Sequence, residues 1–225
     1  MRRFTGVFCT KTVSRTRRLA AILAADVVGY SRLMGIDEEG TLAALKQLRR
    51  ELAGPKFEEH HGRLVKTTGD GLLVEFASVV DAVRCAVEVQ REMAEHNVGV
   101  PAESRIEFRI GINVADIIID DHDIFGDGVN VAARLEAMAD AGGVFVSNTV
   151  HDHVRDRLPF VFEDLGERQV KNIARPIRVY RVRSEHPLPN PHPQAGEGSA
   201  RSVRAAAASE DDPNPPASLG LQVVK

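Results

Sequence analysis

Asp26 interrupts an otherwise apolar run, Leu19-Ala-Ala-Ile-Leu-Ala-Ala-Asp-Val-Val. A carboxylate inside a buried strand is costly unless it is paired, hydrogen-bonded or bound to a cation. It can also end the strand and cap a turn at Gly29. Asp70 stands in Thr68-Gly-Asp-Gly71, where it reads as a turn former at the tip of a hairpin. Two carboxylates brought together from separate strands offer a second reading. Hard divalent ions take oxygen ligands, keep several waters and bridge one or two carboxylates to substrate phosphates. A metal pair about 4 Å apart activates an attacking hydroxyl and neutralises a leaving phosphate.

Asn130 and Arg134 lie four residues apart in Gly128-Val-Asn-Val-Ala-Ala-Arg134. On a helix they project from one face. Beside the small Ala132 and Ala133 they are suited to hold a ribose and a phosphoryl group. An exposed polar stripe, with Arg134 paired to Glu136 or Asp127, fits the same spacing. Each feature taken alone leaves both readings open.

Strands and helices must position these side chains. The run 18–28 reads as a strand buried on both faces. Residues 37–60 read as one long helix with Leu42, Leu45, Leu48 and Leu52 along one side and a break at Pro55. Residues 63–76 form a predicted hairpin around Gly69-Asp70-Gly71, whose Asp-Gly pair favours a type I′ turn. Ser78 opens a helix with Asp81 three residues on. Ile106, Phe108, Ile110 and Ile112 alternate, which predicts a strand with one face in the core. A helix over 127–139, a strand over 144–147 and a helix over 149–157 follow, then strands over 160–170 and 177–182. The mixture predicts an α+β (α/β) sandwich, with helices packed on a mostly antiparallel sheet.

The bulk numbers fit one globular domain: 225 residues, 43% hydrophobic, net charge −3. No global basic field argues for nucleic acid. Cys9 and Cys85 are too few and too distant for a disulfide framework or a zinc site. That usage points to a reducing, cytoplasmic setting, with Cys85 as a buried small hydrophobe. No stretch reaches the ~18–20 apolar residues that span a bilayer. Residues 1–17 read as a basic, disordered arm. Residues 184–225 read as a Pro/Ala-rich disordered tail, since seven of the 11 prolines lie there. The histidines at 60, 61, 151 and 153 read as solvated surface.

Five segments combine into a resemblance: Ala25-Asp26-Val-Val-Gly-Tyr-Ser, Lys66-Thr-Thr-Gly-Asp70-Gly, Arg109-Ile-Gly-Ile-Asn113, Asp123-Ile-Phe-Gly…Asn130-Val-Ala-Ala-Arg134 and Val170-Lys171-Asn-Ile-Ala-Arg-Pro-Ile. In this order they resemble class III nucleotidyl cyclases of the adenylate type, over residues 18–183. The resemblance implies a ferredoxin-like, palm-like sheet and formation of cyclic AMP from ATP. It implies that Asp26 and Asp70 bind two Mg²⁺ or Mn²⁺ ions and that Lys66 and Asp123 select the base. Asn130 would orient the ribose, Arg134 would stabilise charge on the α-phosphoryl group, and Lys171 would meet the terminal phosphates. It further implies a two-fold homodimer whose sites lie between subunits. The regulator is not indicated.

The chemistry supports the choice of base. Lysine only donates and an ionised aspartate only accepts, which complements N1 and the amino group of adenine and mismatches guanine. Ala115 departs from the family, which often has glycine there, and predicts mild crowding. A cyclase-like domain that binds nucleotide without turnover is the competing reading. A GTP-using cyclase is disfavoured by Lys66 and Asp123.

Overall fold

The computed structural model describes residues 16–120, 123–170, 173 and 175–184. Lys171, Cys9 and nearly all of the expected arm and tail lie outside them. β1 (Thr16–Val27) leads to three short helical pieces, α1 (Tyr30–Ile36), α2 (Glu38–Leu48) and α3 (Gly54–Glu59). The hairpin β2 (Gly62–Thr68) and β3 (Gly71–Phe76) follows, then α4 (Val79–His96) and β4 (Phe108–Asp120). The chain continues through β5 (Asp123–Phe125), α5 (Asp127–Met138), β6 (Val144–Ser147), α6 (Asn148–Val154), β7 (Phe160–Arg168) and β8 (Ile177–Ser184).

The strands form one sheet in the order β2-β3-β1-β4-β6-β8-β7, with β5 folded back on β4. Among the described residues only β4 and β6 pair in parallel; the other pairings are antiparallel. The first four main strands thus have the 4-1-3-2 arrangement of a ferredoxin-like unit.

Strand alternation separates the two faces. Ala21, Leu23, Ala25 and Val27 point to the main core with Leu45, Leu48, Phe57, Val83 and Val150 of α2, α3, α4 and α6. Ala20, Ile22 and Ala24 point the other way, against Ile117, Ile124 and Ala132. Leu135 extends that second layer to Phe145 and Val179. Cys85 is buried as expected, and burial pushes its thiol up to about 12.

Several expectations need revision. The left-handed backbone of the β2–β3 turn falls on Gly69 (φ 63°) and not on Asp70, the pattern of a type II′ turn rather than I′. Glycine bears that conformation without a Cβ penalty, so Asp70 is free for another role. The long helix is two helices joined by a π turn over Arg49–Ala53, and Leu42 lies on its exposed side. β4 is buried on both faces from Ile110 to Val114, because it lies mid-sheet. His61 and His153 are exposed, but His60 Nε2 lies 3.0 Å from the Glu88 carboxylate, which accepts a hydrogen bond from the ring, and His151 stacks on Tyr180 at 3.9 Å.

Candidate active site

Asp26 is the last residue but one of β1 and shares the face of Ala20, Ile22 and Ala24, the face covered by α5. Its register partner on β4 is Arg109, whose Nη2 donates to Asp26 Oδ2 at 3.0 Å. The same nitrogen lies 3.2 Å from Glu136 Oε1 on α5, an ionic contact without hydrogen-bond geometry. Burial pushes the Glu136 carboxyl up to about 7, against the pull of Arg109.

Asp70 comes to Asp26 from the hairpin turn. β3 pairs with β1 so that Leu72 lies opposite Ala25, which carries the turn to the end of β1 where Asp26 stands. Burial, and then a hydrogen bond to Asp26, push the Asp70 carboxyl above the usual carboxylate range. Its own backbone amide and Arg49 pull it back. Burial and the neighbouring Asp26 disfavour a charged Asp70, and a divalent cation between the two carboxylates would offset that cost. The donor set therefore fits a magnesium- or manganese-type ion.

Lys66 on β2 and Asp123 at the start of β5 meet across 57 residues of sequence. Lys66 Nζ lies 2.9 Å from each Asp123 oxygen. That bond, ahead of the backbone amide of Ile124, holds the Asp123 carboxyl below the usual range. Asp123 is an acceptor at neutral pH and Lys66 a donor. The Lys66 ammonium also lies 6.0 Å from the centroid of the exposed Phe125 ring.

α5 is seated by two glycines. A Cβ at Gly111 would overlap the backbone of Ala132 and Glu136, so this helix rests directly on β4. A Cβ at Gly128 would overlap the Ala115 methyl. The departure at Ala115 is therefore matched by Gly128 opposite, and the expected crowding is absent. Asn113 Nδ2 donates to the Gly128 carbonyl at 3.0 Å and fixes the start of the helix. With α5 anchored on that side, Asn130 and Arg134 lie on its exposed face, and neither has a bonded partner among the described residues. The expected alternative pairing of Arg134 with Glu136 or Asp127 is not found there.

The family model for the adenylate and guanylate cyclase catalytic domain matches residues 13–184. The chain belongs to this family. It is 51% identical over 164 residues to the putative adenylate cyclase 3 of Rhizobium meliloti, covering 73% of this chain and 28% of that protein. It is 34% identical over 130 residues to an adenylate cyclase of Streptomyces coelicolor, covering 58% and 32%. The chain thus spans less than a third of the length of these relatives. Among solved structures, the adenylate/guanylate cyclase/hydrolase from Silicibacter pomeroyi is 50% identical with a TM-score of 0.72, covering 75% of this chain and 98% of that one. The adenylyl cyclase CyaB from P. aeruginosa, 21% identical with a TM-score of 0.69, shares the fold.

Three residues near the acidic pair of this cyclase domain carried no assigned role in the sequence: Arg49, Arg109 and Glu136. Glu136 had a readable signal. Gly128, Ala132, Leu135 and Glu136 share the buried face of α5, and a glutamate on such a face is an anomaly. Arg49 and Arg109 reach the aspartates only through tertiary contacts.

Away from this site, Glu59, His60 and Glu88 bring ligand atoms within 4.8 Å of one another. Lys56 already occupies that cluster, with Nζ 2.8 Å from Glu59, 3.3 Å from Glu88 and 3.1 Å from Glu92. It is an ion-pair network. Among the described residues no helix is long and apolar enough to cross a membrane.

Proposed function

We propose that this domain converts ATP to 3′,5′-cyclic AMP and pyrophosphate. The observation that carries the choice of substrate is the Lys66–Asp123 pair, donor and acceptor held at 2.9 Å on the same domain as the two adjoining aspartates. Lys66 donates to adenine N1 and Asp123 accepts from the amino group. Guanine presents a donor and an acceptor in the opposite order, and mismatching two such contacts discriminates by orders of magnitude.

In the reaction the ribose 3′-oxygen forms a bond to the α-phosphorus while the bond to the bridging oxygen of the β-phosphate breaks. The 3′-hydroxyl loses its proton and pyrophosphate leaves. Catalysis of this kind is mostly positioning and stabilisation of spreading charge. Asp26 and Asp70 would hold two Mg²⁺ or Mn²⁺ ions, which when bound supply Lewis-acid activation of the hydroxyl and charge neutralisation of the leaving group. Asn130 orients the ribose and Arg134 meets charge on the α-phosphoryl group. Lys171 reaches the terminal phosphates.

The exposed, unpartnered face of Asn130 and Arg134 supports a site completed by a second copy. One chain supplies Asp26 and Asp70, and the other supplies Lys66, Asp123, Asn130, Arg134 and Lys171. The homodimer is two-fold with two equivalent sites.

The test is product formation by purified protein given ATP or GTP with Mg²⁺ or Mn²⁺, beside Asp70→Ala. Cyclic AMP from ATP, lost in the variant, supports the reading. A folded dimer that binds ATP and releases no pyrophosphate points instead to a binding domain without turnover.

A further inference from the structure

The helical segment leading to the acidic pair is irregular at one place. The Gly54 amide bonds to the Arg49 carbonyl, five residues back, closing a π turn over Arg49–Ala53. Two neighbours set this up. Pro55 has no amide and cannot extend a regular ladder. Gly54 has no Cβ, and one placed there would lie 2.8 Å from the Arg49 carbonyl oxygen. A π turn rotates the side chains that precede it relative to those that follow, and such turns recur at functional sites.

Here the rotation aims Arg49 at the β2–β3 turn. Its Nη2 donates to the Gly69 carbonyl at 2.8 Å, one residue before Asp70. Its Nε is closed to solvent and has no partner among the described residues. Burial lowers the pKa of Arg49, while Asp70, Tyr30 and Asp26 act in the opposite direction, so both carboxylates are close enough to feel its charge. The guanidinium is therefore held beside the acidic pair by one hydrogen bond, by burial and by charge.

We propose that Arg49 is a positioning residue of the metal pair: its guanidinium, fixed on the turn that carries Asp70, is a resident counter-charge that, together with Arg109 on Asp26, keeps the two aspartates together before a divalent ion arrives. The inference rests on reading those aspartates as metal ligands. It has a consequence of definite sign. A fixed positive charge stabilises the pair without metal and opposes the incoming ion by Coulomb repulsion. Removing it weakens the metal-free protein and strengthens its response to metal.

The experiment is a double-mutant cycle on metal-free protein, followed by thermal unfolding. Arg49→Met keeps the stem and removes the charge; Asp70→Asn removes one carboxylate. Arg49→Met is expected to lower Tm by about 4 °C or more, from loss of a charged hydrogen bond to Gly69 and of the attraction to two nearby carboxylates in a domain of this size. In the Asp70→Asn background the same change is expected to lower it by less than half as much. Mn²⁺ alone should then raise Tm more in Arg49→Met than in the parent, with Arg49→Lys behaving like the parent. An Arg49→Met chain that folds only alongside Asp70→Asn also supports the proposal. Equal losses in both backgrounds, unfolding in both, or a smaller Mn²⁺ response in Arg49→Met would overturn it, leaving Arg49 as a packing residue. None of these measurements uses nucleotide. A protein that makes cyclic AMP but shows additive Arg49 and Asp70 effects overturns this inference and leaves the proposed activity standing. The converse result separates them the other way.

Discussion

Moving a single methyl group across the α5–β4 contact tests how α5, the helix of Asn130 and Arg134, is seated. Gly128→Ala places a Cβ onto the Ala115 methyl, 3.3 Å from Asn113 Nδ2 and 3.5 Å from the Ala115 Cα. Only the first contact is prohibitive; the Cα distance is ordinary and the Asn113 distance is slightly tight. Forcing an extra methyl into a packed contact costs about 1–3 kcal/mol. The intrinsic preference of a helix for alanine returns up to ~1 kcal/mol, less near a helix start. Gly128→Ala alone is therefore expected to lose about 1–2 kcal/mol, or roughly 2–8 °C in Tm for a domain of this size. Ala115→Gly alone weakens a central strand by about 0.5–1 kcal/mol. The double variant restores the native count of methyls at the contact and should be close to the parent, giving a coupling of about 2 kcal/mol. Urea unfolding of the four proteins measures it. Additive losses, or a tolerated Gly128→Ala, would refute the close seating of α5.

Glu136 gives a pH prediction. Burial raises its carboxyl from the ordinary 4.5 to about 7, so the folded state binds more protons than the unfolded state between those values. Stability then falls as pH rises through that window, by roughly 3 kcal/mol at most. Metal-free Glu136→Gln should lack this fall, so its Tm should gain on the parent between pH 5 and 8; parallel curves would contradict the assignment. The shared site predicts complementation. Asp26→Ala and Arg134→Ala proteins, each inactive, should recover about a quarter of parental activity per chain when mixed at equal amounts, because half the dimers are mixed and each has one intact site. A verified mixed dimer with no activity would argue against a site built from two chains.

Much of this architecture is legible in the residues. The apolar run before Asp26, the hairpin about Gly69 and the alternation over 106–112 are local signals, and they locate β1, β2, β3 and β4. What the sequence hides is set by distant partners. The break at Gly54-Pro55 is visible, but not that it takes the form of a π turn or that the turn brings Arg49 to the Gly69 carbonyl. α1 is only seven residues and has no side-chain cap, and β5 is three residues that exist by folding back on β4. Lys66 and Asp123 are suggested by resemblance, while their bond depends on the β2 and β5 strands meeting. Arg49 has no motif of its own. Its proximity to Asp70 arises from tertiary structure alone.

The inner and outer faces of α5 have different attachments. Inward, Glu136 touches Arg109, which holds Asp26 of the same chain. Outward, in the proposed dimer, Asn130 and Arg134 would serve the site whose aspartates come from the other chain. In that proposed dimer one rigid helix would be a crossbar between the two reaction centres. A ligand that shifts it in one centre would then alter the acid cluster of the other, and the centres would fill in a correlated way. A Hill coefficient different from one for metal–ATP, returning to one in Glu136→Gln, would register that linkage; independent sites in the parent would show that the crossbar transmits nothing.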